Sequence, residues 1–199
     1  MNFLSLFREL LGRVISRKKT LLAFGVVFLI GVILGMLFIK TPSVYGYHLK
    51  LCDRFIDRVC YSDRNVFFIF IERTSGNVLL VGLILCAGLH PVGLILPPVI
   101  LVYRAYTFGG SLAIFFTVYR MSGALIVFVL YLPIHLLIDA VLLCATALSC
   151  ARANSFRFCT EDLTALVRDA VFLIVLVAAI CFLEMVLLLA LFHPLGNLL

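Results

Sequence analysis

The chain has 199 residues, of which 64% are hydrophobic and only 13% charged, with a mean hydropathy of +1.22. A soluble domain of this size is about half apolar and about a quarter charged, and has too little interior to hide so much apolar surface. The composition therefore excludes a soluble enzyme, a disordered chain and a secreted disulfide scaffold, and the net charge of +6 fits basic residues gathered at membrane surfaces.

Residues 1–20 read as an interfacial helix. Phe3, Leu4, Phe7, Leu10, Leu11, Val14 and Ile15 recur at helical spacing, with Arg8, Arg13, Arg17, Lys18 and Lys19 between and after them. Such a helix suits either an anionic inner leaflet or a protein partner. Residues 21–39 form the first expected span, since 19 residues rise ~28 Å, close to the hydrocarbon thickness of a bilayer. Gly31 and Gly35 give it a GxxxG face for close helix packing.

Residues 40–77 are the one long polar segment. Leu49, Cys52, Ile56, Val59 and Cys60 make an apolar stripe, and Lys50, Asp53, Arg54, Asp57 and Arg58 the opposite face. Lys50–Asp53 and Arg54–Asp57 fall at i,i+3, which supports a surface helix from about His48 to Tyr61. That face is a candidate docking platform, and the alternative is a connector resting on the membrane. The run Val66–Ile71 is too short to span and is expected to dip into the interface.

Residues 78–119 are long enough for two spans, 78–98 and 99–119, with Pro97-Pro98 as the turn and a kink at His90-Pro91. A fourth span covers 124–151 and breaks near Pro133. A charged loop follows at 152–169, where Thr160 caps a short helix, and a fifth span covers 170–192, ended by His193-Pro194 and Gly196. The fold class is thus an all-α polytopic membrane bundle of about five spans with amphipathic interfacial helices. The basic amino-terminal tail places the amino terminus in the cytoplasm. The carboxyl terminus and segment 40–77 then lie outside.

The lipid bilayer is the expected partner, and no basic stripe of the kind that binds nucleic acid is present. The seven cysteines form no CxxC pair, so neither a metal nor a cofactor is expected. Cys52 and Cys60, eight residues apart in one helix, are ~12 Å apart, too far for a disulfide.

Arg104, Asp139 and Glu184 fall within expected spans, with His90 and His135 in apolar surroundings. A lipid-facing charge costs roughly 2.5–3.5 kcal/mol on insertion scales, so these groups face the bundle interior or a polar path. His135 and Asp139 share a helix face and are within reach of a hydrogen bond. Three readings compete: structural pairs such as Arg104 with Asp139 or Glu184, a conduction or proton path, and an intramembrane hydrolase. The last lacks HExxH, paired aspartates or an evident nucleophile–base pair.

The order of these features resembles the stage II sporulation protein M family. The first span with its late glycines, Asn77 ahead of the second span, and Gly88-Leu89-His90-Pro91-Val92-Gly93 are similar to the family's landmarks. Ala105 and Gly109 keep a small-xxx-small spacing where members carry Asn-Gly and a later Gly; Arg104 departs from the Asn. Pro133, His135 and Asp139 resemble the family's Pro-His-Gly…Glu helix, with one residue inserted, no Gly, and Asp for Glu. The resemblance implies a non-enzymatic scaffold in engulfment at the septal membrane, organising two peptidoglycan-degrading partners, the stage II sporulation D and P proteins. A transporter or lipid-flipping permease subunit using Arg104, His135 and Asp139 is the alternative.

Overall fold

The computed structural model describes residues 12, 15–60, 66–121, 124, 127–153 and 160–196, with the side chains at 58–60, 66, 91, 160–161 and 191–196 outside the description. Among these residues the chain is helical and forms no strand. The helices are α1 (Lys18–Phe38), α2 (Pro42–Cys60), α3 (Val66–Ala87), α4 (Leu96–Val118), α5 (Leu132–Ala153) and α6 (Thr160–Gly196). A 3-10 turn, Pro91–Ile95, leads into α4, and a π turn, Val127–Tyr131, leads into α5. Five stretches are long and apolar enough to cross a bilayer: Lys18–Phe38, Phe67–Ala87, Val92–Val118, Val127–Ala153 and Asp162–Ala190. The protein is a multi-pass helical membrane bundle. Most of the expected amino-terminal helix at 1–20 lies outside the described residues.

Several boundaries differ from the sequence reading. The second span starts near Val66, so Val66–Ile71 is the first turn and a half of α3 and not an interfacial dip. The break between spans two and three falls at Gly88–His90, ahead of the prolines. Pro97 and Pro98 sit in the first turn of α4, where a missing N–H removes a donor that has no helical partner anyway. Gly93 is what permits the tight 3-10 turn. A Cβ there would strike the Ala87 backbone, with Ala87 Cα at 3.0 Å. Pro133 does not break its span; the ladder widens into the π turn just before it and continues as α5. Most of the expected loop 152–169 is helix, because α6 begins at Thr160; its far end runs through Pro194 to Gly196.

The packing has two cores that share α5. One joins α3, α5 and α6 through residues such as Val81, Ile84, Ile138, Leu142, Leu173 and Val177. The other joins α1, α2, α4, the π turn and α6 through Phe28, Phe55, Phe108, Phe115, Tyr131 and Leu188, with Leu132 and Leu143 of α5 packed against it. Half of the α4 and α5 spans is buried against 17% of α1, so α4 and α5 are central and α1 is peripheral. Arg120, at φ 49°, takes the left-handed conformation and stops α4 just after Tyr119.

The peripheral helix is held by small residues. α1 lies along α4 with residue numbers rising together, so spans one and three cross in the same sense. A Cβ on Gly31 would lie 2.7 Å from Ala105 Cβ, and one on Gly35 would lie 2.9 Å from Gly110 N and press on the Tyr106 carbonyl. From the other side, a Cβ on Gly109 would meet the Val32 backbone, with Val32 Cα at 2.9 Å. Gly31, Gly35, Ala105 and Gly109 thus form one seam. In lipid such a seam holds by van der Waals contact between close backbones, since hydrophobic transfer offers helices no gain there.

Gly35→Leu should therefore force α1 off α4 and destabilise the protein by about 1–3 kcal/mol, the usual range for overpacking. Thermal melting of the detergent-purified protein checks this, with Gly25→Ala as the neutral control, because nothing lies within 4 Å of a Cβ at Gly25.

Candidate functional site: an arginine-lined cleft between the helices

α2 packs obliquely over α4. His48 is fully buried on Gly110, whose added Cβ would fall 2.5 Å from the imidazole. Tyr47 and Tyr106 flank the ring at 5.3 and 5.7 Å between centroids. One turn on, the Cys52 thiol points to the Ser111 carbonyl at 3.6 Å, and Phe55 lies edge-on to Phe115 and Tyr131. Tyr119, just past α4, donates to the Asp53 carboxylate at 2.6 Å. The expected apolar stripe is thus turned onto α4, and Lys50, Asp53, Arg54 and Asp57 lie on the exposed face. The Arg58 side chain is outside the description.

Beside α2 an open cleft of about 460 Å³ is walled by α2, α3, α4 and α5, and Tyr47, Arg54, Glu72 and Tyr103 at its rim are exposed. Its charged lining is Arg54 from α2, Glu72 and Arg73 from α3, and Arg104 from α4. Tyr47, Asn77, Tyr103, Thr107, Ser111, Tyr131 and His135 add polar groups. The volume lies within the ordinary range of ligand pockets, roughly 300–1,000 Å³.

Two carboxylates hold two of the arginines from behind the wall. Arg104 Nη2 lies 3.4 Å from Asp139 Oδ1 on α5, and Arg73 Nη2 lies 3.0 Å from Glu184 Oε1 on α6. Both acids are almost fully buried. Each uses one oxygen; Asp139 Oδ2 and Glu184 Oε2 are buried without a hydrogen-bond partner, as is Arg73 Nε. Neighbouring groups fix the backbone around these arginines. The Asn77 amide donates to the Arg73 carbonyl at 2.9 Å, and the Thr107 hydroxyl to the Arg104 carbonyl at 2.8 Å.

The π turn and α5 place Tyr131 and His135 one turn apart on the cavity wall, with ring centroids 4.1 Å apart. His135 shares a face with Asp139, but no hydrogen bond joins them: the carboxylate turns to Arg104. Of the two partners weighed for Arg104, the structure selects Asp139; Glu184 belongs to Arg73. His90 falls between the apolar stretches Phe67–Ala87 and Val92–Val118 and takes no part in these ion pairs. It caps the 3-10 turn, exposed, and its Nδ1 accepts from the Val92 N–H at 3.2 Å. Arg73 escaped the sequence reading, because Glu72-Arg73-Thr74 looked like the end of a polar connector. The signal available was Arg73 four residues before Asn77 at the head of an apolar helix. Arg54 was singled out for the outer face, and its place on the cavity wall depends on how α2 docks.

A further ion pair lies elsewhere. Arg152 at the end of α5 contacts Asp169 near the start of α6, with Arg168 Nε at 4.0 Å from the same carboxylate. It ties two helices together and does not line the cavity. No group of three His, Cys, Asp or Glu side chains able to hold a metal forms among the described residues.

Groups on and beside α2 carry displaced proton affinities. The hydrogen bond to Tyr103 at 3.1 Å, then burial, raises the Tyr47 phenol. Burial pushes the Cys52 thiol up to about 12, against the opposing effect of the Ser111 carbonyl contact. Burial first, then the bond to Asp53, raises the Tyr119 phenol. Burial lowers His48, whose two ring nitrogens have no hydrogen-bond partner.

His48 therefore stays neutral in the folded protein at pH values where the unfolded chain, near pH 6.5, already takes up a proton. Stability is complete above about pH 6.5 and falls below it, by at most about 1.4 kcal/mol per pH unit. Melting curves between pH 7.5 and 5 should show this decline, and His48→Gln, which cannot be protonated, should flatten it.

No protein-family model matches the chain, and no curated protein or solved structure matches it either.

Proposed function

We propose that this protein is a permease-type membrane protein, a transporter or a subunit that moves polar headgroups, acting through the cavity between α2 and α5. One observation carries the reading. Arg54, Arg73 and Arg104, from three different helices, flank an open volume of about 460 Å³. Ion pairs that serve only to join helices need no cavity beside them. Ionisable groups placed inside a membrane protein and beside open space mark solute and headgroup paths. Arg104 and His135 were singled out from the sequence on this ground and both line the cavity; Asp139 holds Arg104 from behind.

The orientation follows the basic residues before the first span: amino terminus in the cytoplasm, carboxyl terminus outside, and α2 at the outer side. The test is reconstitution into liposomes, measuring uptake of labelled chloride, phosphate and an amino acid, and exchange of fluorescent phospholipid between leaflets. At least one flux should exceed that of empty liposomes. Arg54→Gln, which breaks no ion pair among the described residues, should lower it severalfold with unchanged melting. Absence of every flux from a well-folded preparation would defeat the reading.

A second reading draws on the exposed face of α2, where Lys50, Asp53, Arg54 and Asp57 offer a charged surface to a partner. It is the non-enzymatic septal scaffold implied by the sporulation resemblance, with the stage II sporulation D and P proteins as partners. Lys50→Glu with Asp57→Lys should then abolish co-purification of those partners at unchanged membrane level, and deletion in a spore-forming host should block engulfment. Normal engulfment counts against it.

A further inference from the structure

We propose that the cavity recognises a phosphate-bearing group, carried by a lipid headgroup or free in solution; this rests on the permease reading and names the class of its ligand. The walls supply three guanidinium groups and one carboxylate, Glu72; Asp139 and Glu184 balance Arg104 and Arg73 from behind the lining, so the positive charge not held in an ion pair among the described residues is that of Arg54. Guanidinium presents five N–H donors in a planar fork and cannot lose its proton, which suits it to oxyanions over neutral solutes. Arg73 and Arg104 each contact one carboxylate oxygen, which leaves further donors on both. Arg54 forms no ion pair among the described residues.

The two carboxylates do not compete with a ligand. Asp139 and Glu184 stand behind the arginines and are not part of the cavity wall. They supply the counter-charge that lets guanidinium groups persist in an apolar bundle, and they hold the forks in place before a ligand arrives. Unpaired, the same arginines would be costly to keep there.

Geometry favours phosphate over carboxylate. A carboxylate has two oxygens in one plane, and a single arginine fork satisfies both. Here the arginines come from three helices, α2, α3 and α4, and line one volume. A phosphate group, with oxygens in a tetrahedral array, can accept from several forks at once. Hydroxyls of Tyr47 on α2 and Tyr103 on α4 hydrogen-bond to each other at 3.1 Å, which leaves one O–H of the pair to donate to a further oxygen or a headgroup hydroxyl.

The test uses the full chain purified in a non-ionic detergent, with binding followed by titration calorimetry. The probes are inorganic phosphate, acetate, dihexanoyl phosphatidylglycerol and dihexanoylglycerol, which lacks the phosphate. We expect phosphatidylglycerol to bind and dihexanoylglycerol not to bind, with phosphate far exceeding acetate in competition. Arg54→Gln should weaken binding roughly tenfold or more, the loss of one charge-assisted hydrogen bond, without moving the melting temperature, and Arg54→Lys should recover part. Phosphate binding as tightly as phosphatidylglycerol would identify the free anion as the source, and a strong preference for phosphatidylglycerol the headgroup. Equal binding of acetate, no binding of either phosphate probe, or an unchanged affinity in Arg54→Gln would overturn the proposal. Flux of a solute without phosphate binding would leave the permease reading standing and remove this one; phosphate binding without any flux would do the reverse.

Discussion

Two adjacent glycines on α4 carry the arrangement on which everything else rests. Gly109 accepts the backbone of α1 at Val32, and Gly110 accepts the imidazole of His48 from α2. A side chain at either place would push a helix away. Without α2 seated on Gly110 the cleft would lose one wall, and Arg54 would no longer line it. The close approach is possible only because neither residue has a Cβ, and in lipid that closeness is itself a large part of the attraction. The same ledge therefore positions a structural helix on one side and a wall of the candidate site on the other.

Charge imposes the second constraint. A guanidinium inside an apolar bundle needs a counter-ion, and the bundle provides Asp139 for Arg104 and Glu184 for Arg73. One pairing joins the successive helices α4 and α5, and the other joins α3 and α6 across 111 positions. The pairs thus tie these helices together while the arginines line the cleft. Half-satisfied carboxylates and an unpaired Arg73 Nε are an expensive arrangement for stability alone. Low-polarity surroundings make every such donor stronger toward an anion that does enter.

The sequence made much of this legible. Span count and class followed from apolar run length, because an unassisted helix must cover the bilayer with residues that tolerate lipid. The small residues Gly31, Gly35, Ala105 and Gly109 were visible from their spacing, and so was the amphipathic pattern of α2. Arg104, His135, Asp139 and Glu184 stood out as polar residues in apolar runs. Other features misled. Pro97-Pro98 resembles a turn, yet prolines also suit a helix's first turn, and the two uses look alike in one dimension. Arg73 lay beside other polar residues, so its burial was hidden by its neighbours. His90 shared the apolar context of His135 and turned out to cap an exposed turn.

By itself the sequence determined that the chain is an all-α membrane bundle, because hydrophobic length and helical period are local properties read along one strand of text. It determined also that a few charges inside those spans would need partners. Which partner each charge takes, and that three arginines face one cavity, only the tertiary structure decided. Arg104 had two acids within its repertoire, and the choice between them depends on which helices the glycine ledge brings together. Helix adjacency arises from contacts between residues some 30 to 110 positions apart, and no local pattern encodes a separation of that kind.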